Sequence, residues 1–326
     1  MSREIIEAVF ACSAKHILPL MLICSRNQVD KDSGYVFTTA AYSRFVSEMR
    51  QRYPLASVTL CRDHCGPGFG PADNSLESVW QTMLCDMENG FELIHIDLCH
   101  LAVSRGEKIT ITNELMDRAL AMDSRIQFEV GTEENVGVPA SNLAEIADDL
   151  AGLHTKPKFY VVQTGSLVKE DRNYGTFGRE AVLKAKELLA GHGVMLKEHN
   201  ADYLDQEAIR QRIGVVDAMN IAPQLGVIQT NLVLNACRVY GLDSRPFKQL
   251  VYRGGKWRKW LLNATAENRD LCVSLAGHYH FDSDEYRRLT DALPDVGIGA
   301  ATEQLILHYW TSSTKGKNAD GSQAVG

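Results

Sequence analysis

The side chains best suited to chemistry in this sequence are two histidines and two carboxylates that lie far apart along the chain. His64 directly follows Asp63, Glu129 is near the end of one apolar run, and His199 follows another. Neutral imidazoles and a carboxylate suit Zn²⁺ or a similar divalent ion, with open positions left for a substrate. An ion held by His64, His199 and Glu129 could polarise a hydroxyketone and stabilise an enediolate. Asp63 could then move a proton to or from the aldehyde oxygen of the other fragment, which makes or breaks a carbon–carbon bond.

These residues must be positioned by a regular scaffold, and the chain shows a repeating pattern that can provide one. Eight short apolar runs with β-propensity occur at residues 20–24, 58–61, 93–97, 126–130, 159–163, 194–198, 215–221 and 271–275. Segments of helical periodicity lie between them at residues 43–52, 75–87, 113–122, 143–150, 179–190 and 228–240. The first six runs start 33 to 38 residues apart, the length of one βα unit. No Gly-x-Gly-x-x-Gly follows the first run, which favours a closed barrel over an open dinucleotide-binding sheet.

The predicted fold class is therefore α/β, a (β/α)8 TIM barrel formed by residues 1–313, with residues 314–326 as a polar, flexible tail. In such a barrel the C-terminal ends of the strands converge on one mouth, so polar residues there are candidates for substrate binding. The candidates are Asn27, Gln28, Asp97, Gln163, Asn220, His278 and His280. The alternative is that these loops are polar because they follow buried strands, and that each histidine is structural.

Composition limits the other function classes. The chain has 326 residues, 34 Lys plus Arg against 41 Asp plus Glu, and a net charge of −7, which argues against nucleic-acid binding. Its one basic cluster, residues 253–260, is predicted to be a helix start with solvated charges. Eight cysteines without a C-x-x-C pair predict free thiols. No long apolar segment or signal-peptide layout is present, which predicts a cytoplasmic protein that does not interact with membranes.

Several of these segments also carry a family resemblance. The matching motifs are Ser25 to Tyr35 (SRNQVDKDSGY), Asp63 to Pro67 (DHCGP), Gly90 to Asp97 (GFELIHID), Val130 to Glu133 (VGTE), Val162 to Gly165 (VQTG), Glu198 to Tyr203 (EHNADY), and Pro223 with Leu225. In order and spacing they resemble the class II metal-dependent ketose-bisphosphate aldolases, and more closely the Z-type (accessory) subunit family of D-tagatose-1,6-bisphosphate aldolase.

The resemblance implies a TIM barrel of the class II aldolase type, with a metal site built around His64 and His199. It implies that Asp63 is the acid after the second strand, that Glu129 is a carboxylate near the metal, and that Asn220 touches the substrate. Class II relatives commonly form oligomers, so a homo-oligomer is expected.

The sequence departs from the family pattern at several loops. The third histidine of the catalytic enzymes is expected after strand five, where this chain has Gln163, which would ligate weakly or only hydrogen-bond unless Glu129 replaces the histidine. The phosphate-binding segments after strands six and seven are replaced by residues 200–203 and 222–224. After strand eight, a His278-x-His280 pair stands where arginines are expected. That pair could bind phosphate, join the metal site, or only lie on a loop. A bisphosphorylated substrate is not supported.

Two function classes remain. The first is a metal-dependent aldol or retro-aldol enzyme that acts on a keto-sugar, a sugar phosphate or an aldehyde, either as a lyase or as a C4 epimerase that cleaves and re-adds. The second, implied by the resemblance, is a non-catalytic subunit that stabilises a separate catalytic aldolase. Convergent ionisable groups favour the enzyme, because a scaffold does not need them.

Overall fold

The computed structural model describes residues 2–70, 75–132, 134–140, 142–262 and 268–315. Within these ranges the main sheet is parallel and has seven strands, each paired with its neighbour in sequence. The strands are β1 Pro19–Ser25, β2 Ser57–Cys65, β3 Leu93–Ile96, β4 Gln127–Gly131, β5 Phe159–Val161, β6 Met195–Glu198 and β7 Ala218–Met219. This order, with helices between successive strands, is a TIM-barrel-like α/β arrangement.

Helices follow most of these strands and cover the outer face of the sheet. They are α1 Arg3–His16, α2 Thr39–Arg52, α3 Leu76–Glu88, α4 Arg105–Met122, α5 Leu143–Gly152, α6 Arg179–Gly191, α7 Gln206–Arg212, α8 Pro223–Tyr240, α9 Arg245–Gly254, α10 Arg269–Ala276, α11 Asp284–Ala292 and α12 Ile298–Lys315. Five of the six predicted helical segments lie within α2, α4, α5, α6 and α8, and the sixth, residues 75–87, begins one residue before α3. Serine side chains cap the first turns of several helices, and Ser104 forms a capping box with Glu107 at α4.

Short elements complete the loops at the carboxyl ends of the strands. Val29–Asp30 pairs with Phe37–Thr38, and Val168–Lys169 pairs with Arg172–Asn173. The basic cluster spans the end of α9 and a short 3-10 helix, Lys256–Trp260, so it is not simply a helix start. A second 3-10 helix is formed by Gly277–His280.

The eighth predicted strand is wrong, because residues 271–275 lie within helix α10. Asn268 caps this helix by accepting a hydrogen bond from the Leu271 backbone N–H. The buried residues of α10, Cys272, Val273, Leu275 and Ala276, follow helical spacing. A short apolar run does not by itself distinguish a buried strand from a buried helix. No pairing closes the sheet between β1 and β7 in the described ranges.

The two faces of the sheet have different surroundings. Ile94, Phe128, Tyr160 and Leu196 pack with residues of the surrounding helices, such as Met83. Cys61, Leu93 and Phe159 form a separate small apolar cluster on the opposite, inner face. Because side chains alternate along a strand, residues two positions further on, such as Asp63 and His95, face the same inner side near the carboxyl ends.

Other predictions fall partly outside the described ranges. Residues 314 and 315 belong to α12 rather than to a tail, and residues 316–326 lie outside the described residues, as does Glu133. All eight cysteines are in the described part of the chain and are free thiols, as predicted. Among the described helices, none combines the length and apolar character needed to cross a bilayer.

Candidate metal and active site

Four side chains from three strand ends converge at the carboxyl edge of the sheet. The potential ligand atoms of Asp63, His64, His95 and His199 all lie within 4.8 Å of one another. The ring centroids of His64 and His199 are 5.2 Å apart, and His95 is 5.1 Å from each of them. The structure thus brings together the two histidines that the sequence singled out, and it adds a third.

A bulge in β2 allows Asp63 and His64, which are consecutive, to join the same cluster. Regular alternation would point their side chains to opposite faces. The pairing of β2 with β3 shifts register between Arg62 and Cys65, and His64 has a φ of +44°. Positive φ is uncommon for a residue with a side chain, and such backbone strain is concentrated at functional sites. The bulge redirects the imidazole towards the cluster.

His95 is the imidazole that the sequence reasoning missed. The family pattern predicts the third histidine after strand five, whereas His95 lies on β3. Its Nε2 donates a hydrogen bond of 2.7 Å to the Gly131 carbonyl, so Nε2 carries a proton. Its Nδ1 lies 3.3 Å from the His64 backbone nitrogen and 3.6 Å from Asp63 Oδ1. The sequence does carry a signal for His95: it lies two residues before Asp97 at the end of one strand, so the two side chains face the same side of the sheet.

Asp97, predicted to bind substrate, has both oxygens engaged by protein groups. Its Oδ2 accepts a 2.7 Å hydrogen bond from His64 Nδ1 and a 3.2 Å one from Thr132 Oγ1. Its Oδ1 accepts from the Cys99 backbone N–H at 3.0 Å. A carboxylate that holds the outer nitrogen of a histidine fixes the orientation of the ring and leaves the other nitrogen for a metal.

Glu129 lies beside the cluster but outside the four residues that converge. Its Oε1 accepts a 2.8 Å hydrogen bond from His199 Nε2, and its Oε2 accepts a 2.5 Å one from Lys197 Nζ. The carboxylate within the converged group is Asp63. A ligand or catalytic role for Glu129 stays a prediction.

Burial and mutual charge set the ionisation of the site. Burial raises the pKa of Asp63, but the imidazoles around it outweigh burial and hold its pKa well below the ordinary range. Burial lowers the pKa of His95, but Glu129, Asp63 and Asp97 outweigh it and raise the pKa to about 9. The pKa of His64 is also raised, because Asp63 and Asp97 outweigh burial. Burial lowers the pKa of His199.

The other predicted residues take different places. Gln163 exchanges two hydrogen bonds of 2.6 Å with the backbone of Glu134. Gln28 Oε1 accepts a hydrogen bond from the Ser25 backbone N–H at 2.9 Å, and Asn27 is half-buried. Asn220 is buried just after β7, and its Nδ2 has no hydrogen-bond partner among the described residues.

The His278-x-His280 pair does not join the converged group. Both residues lie on the 3-10 helix rather than on an open loop. His278 packs against Gly226 of α8. A Cβ atom added at residue 226 would lie 2.5 Å from the Cβ of His278. His280 packs against Gly254 at the end of α9.

The four converged side chains fit a divalent ion. Zn²⁺ at ordinary bond lengths would hold its ligand atoms about 3.4 Å apart, so the observed cluster needs only small side-chain movements to close on it. Asp63 Oδ1 is buried and has no hydrogen-bond partner among the described residues. His64 and His95 already have outer partners in Asp97 and the Gly131 carbonyl. The donor set suits zinc or another borderline divalent ion.

No protein-family model matches the chain. The chain is similar in structure to a probable tagatose 6 phosphate kinase from Sinorhizobium meliloti 1021, with a TM-score of 0.72 and 19% identity over 98% of this chain and 92% of that one. It is also similar to a fructose-bisphosphate aldolase from Campylobacter jejuni, with a TM-score of 0.55 and 14% identity over 88% of this chain and 86% of that one.

A third similar structure is a fructuronate-tagaturonate epimerase from Cohnella laeviribosi, with a TM-score of 0.54 and 11% identity over 84% of this chain and 71% of that one. At these identities the likeness shows a shared fold. The three similarities support the TIM-barrel-like architecture read from the strand order.

Proposed function

We propose that this chain is a metal-dependent enzyme of the aldol type that cleaves a keto-sugar or sugar phosphate, or epimerises it at C4 by cleavage and re-addition. The observation that carries the proposal is the convergence of three imidazoles and Asp63 within 4.8 Å at the carboxyl edge of the sheet. A divalent ion held by His64, His95 and His199 would supply Lewis-acid polarisation of a substrate carbonyl.

The names of two similar structures agree with this chemistry. One is an aldolase and another is an epimerase of sugar acids. A retro-aldol step followed by addition to the opposite face of the aldehyde inverts one carbon, so a single site can serve either outcome.

Asp63 is the residue that we assign to proton transfer. A carboxylate is ionised at neutral pH, so Asp63 can accept a proton in the cleavage direction. It would accept the proton from the hydroxyl on the carbon that becomes the aldehyde. The electron pair of the broken carbon–carbon bond stays on the ketone fragment as an enediolate. This enediolate either adds back to the aldehyde, whose oxygen regains the proton from Asp63, or takes a proton from solvent and leaves as the ketone. Asn220 Nδ2 would donate a hydrogen bond to a substrate oxygen.

The loop after β6 argues for a substrate without a second phosphate. Asp202 Oδ1 accepts hydrogen bonds from the backbone N–H groups of Ala222 at 3.0 Å and Gln224 at 2.9 Å, at the start of α8. The start of a helix is a common phosphate site, and here a side chain of the protein already occupies it. Asn173 Nδ2 donates to the carbonyls of Asn200 and Asp202, which ties this loop to the loop after β5.

The experiment is a metal analysis of the purified chain followed by incubation with a panel of ketoses and ketose phosphates, with and without a chelator. We expect turnover that is lost with chelator, restored by Zn²⁺ or Co²⁺, and lost in His199→Ala. The matched control is His154→Ala, because His154 is an exposed histidine that pairs with Asp117.

The alternative function, a subunit that stabilises a separate aldolase, predicts the opposite results. The chain would then take up no metal and turn over none of these sugars, yet it would raise the activity of a co-purified catalytic aldolase. That combination would refute the proposed enzyme.

A further inference from the structure

β6 carries a lysine on the inner side of the sheet, two residues before the histidine of the candidate site. Lys197 is only 1% exposed, and lysine is almost never buried to this extent unless it is paired. Its Nζ donates a 2.5 Å hydrogen bond to Glu129 Oε2 and lies 5.6 Å from the centre of the Phe159 ring. Among the described residues, Lys197 forms an ion pair with Glu129.

The same carboxylate connects the lysine to the candidate metal site. Glu129 Oε1 accepts a 2.8 Å hydrogen bond from His199 Nε2. The side chains of Lys197, Glu129 and His199 are 1%, 1% and 3% exposed. Two buried, charge-assisted hydrogen bonds therefore connect Lys197 through Glu129 to His199 of the candidate site.

The position of Glu129 would not be fixed without the lysine. Its Oε1 also lies 3.8 Å from His95 Nδ1, so a modest rotation of the carboxylate would exchange one imidazole for the other. The outer torsion of a glutamate is broad, and only a second bonded partner holds both oxygens in place. Lys197 is that partner, because it binds the oxygen that does not bind His199.

We propose that Lys197 is a positioning residue of the metal site: it binds Glu129 Oε2 and thereby holds Glu129 Oε1 beside His199 Nε2 and His95 Nδ1. The inference rests on the metal centre of the proposed function, and it adds a residue that neither binds the ion nor touches the substrate. Outer partners of this kind commonly change metal affinity by 10- to 100-fold.

The test compares Lys197→Met with Lys158→Met. Lys158 is the matched control because its Nζ lies 5.8 Å from the centre of the same Phe159 ring but pairs with Gln127. Zn²⁺ affinity is measured by competition with a chromophoric chelator, and coordination is monitored by the visible absorption of the Co²⁺-loaded protein. We expect Lys197→Met to weaken Zn²⁺ binding about 10- to 100-fold and to change the Co²⁺ spectrum. Lys158→Met should match the wild type in both.

A double-mutant cycle with Glu129→Gln separates positioning from a general loss of packing. Because Lys197 acts through Glu129, Lys197→Met should weaken Zn²⁺ binding by less than about twofold further in the Glu129→Gln background. Should Lys197→Met fail to fold, as judged by circular dichroism, Lys197→Gln enters the same cycle.

Two results would overturn the inference. One is unchanged Zn²⁺ affinity and Co²⁺ spectrum in the folded Lys197 variant, and the other is a Lys197 effect that persists in full when residue 129 is glutamine. Sugar turnover has no part in this experiment, so a wild-type chain that binds the ion but transforms no sugar would refute the proposed function and leave this inference standing. A wild-type chain that binds no ion would overturn both.

Discussion

Glu198 and His199 are consecutive residues at the end of β6, yet they belong to two different buried polar clusters. Glu198 Oε2 accepts a 2.6 Å hydrogen bond from Arg212 Nε, and its Oε1 accepts a 2.7 Å one from Arg212 Nη2. The hydroxyls of Thr164 and Ser166 donate to the same Oε1 at 2.9 and 3.1 Å. Every acceptor of this carboxylate has a donor, which is typical of a structural ion pair.

The cluster on the other side of the strand is not saturated in this way. His64, His95 and His199 point their rings towards one another, and Asp63 Oδ1 is buried with no hydrogen-bond partner among the described residues. Both clusters contain carboxylates and nitrogen-bearing side chains, although Asp63 and His64 are less buried than Glu198 and Arg212. The difference is that donors and acceptors match in one, whereas in the other the buried Asp63 Oδ1 lies among three imidazoles and accepts no hydrogen bond from the described residues. We infer that the first cluster serves stability and the second serves chemistry.

The contrast between the two clusters predicts its largest effect on the rate of sugar turnover. Asp63→Asn removes the base but keeps the shape of the side chain, so we expect the rate to fall about 10²- to 10⁴-fold. Zn²⁺ affinity, measured in parallel, should stay within about tenfold of the wild type because three imidazoles remain. If affinity fell as far as the rate, Asp63 would be a ligand rather than the proton carrier.

The saturated cluster predicts a loss of stability instead. Arg212→Met leaves the buried Glu198 without its cation, which should reduce the free energy of unfolding by about 3–5 kcal/mol in urea denaturation. Arg210→Met is the matched control, because Arg210 pairs with Glu207 at the surface and such pairs contribute less than about 1 kcal/mol. A similar loss in both variants would contradict the assignment of Glu198 and Arg212 to a structural pair.

The sequence was sufficient to predict the parallel strands, because their apolar runs recur at the length of a βα unit. It was not sufficient for the eighth run, since Cys272 and Val273 are equally compatible with a strand or a buried helix. Strand order brought His64 and His199 to one edge, which follows from the fold alone. The family pattern predicts the third histidine after strand five. It therefore does not predict His95, although His95 precedes Asp97 by two residues.

Two further features of the site depend on three-dimensional detail. The bulge at His64 has no signature in the local sequence, because it is defined by how β2 pairs with β3. Alternation along β6 points the side chains of Glu198 and His199 to opposite faces of the sheet. Their partners, Arg212 for Glu198 and Glu129 for His199, depend on packing between distant segments. The sequence pattern therefore predicts which residues lie at this edge of the sheet, whereas the partners of each side chain are set by packing.

A moderate effect is expected from the outer partner of His64. Asp97→Asn weakens the hold on His64 Nδ1 without changing the size of the side chain, so Zn²⁺ affinity should fall about 10- to 100-fold in the chelator competition assay. Asp117→Asn is the matched control, because Asp117 holds the exposed His154 through a 2.9 Å contact with Nδ1. Equal Zn²⁺ affinity in the wild type and Asp97→Asn would show that Asp97 does not orient a ligand.

The last effect is the pH dependence of metal binding, about tenfold per pH unit for each protonated histidine that must lose its proton. The ion and the proton compete for the same imidazoles, so binding releases protons from any histidine that is protonated in the free site. Since carboxylates raise the pKa of His95 to about 9 and also raise that of His64, Zn²⁺ affinity should increase as pH rises from 6 and level off only near pH 9. Glu198 and Arg212 take no part in this competition, so Glu198→Gln should keep the same pH profile. An affinity that levels off near pH 6.5, the ordinary pKa of histidine, would show that the carboxylates do not hold these imidazoles in the protonated form.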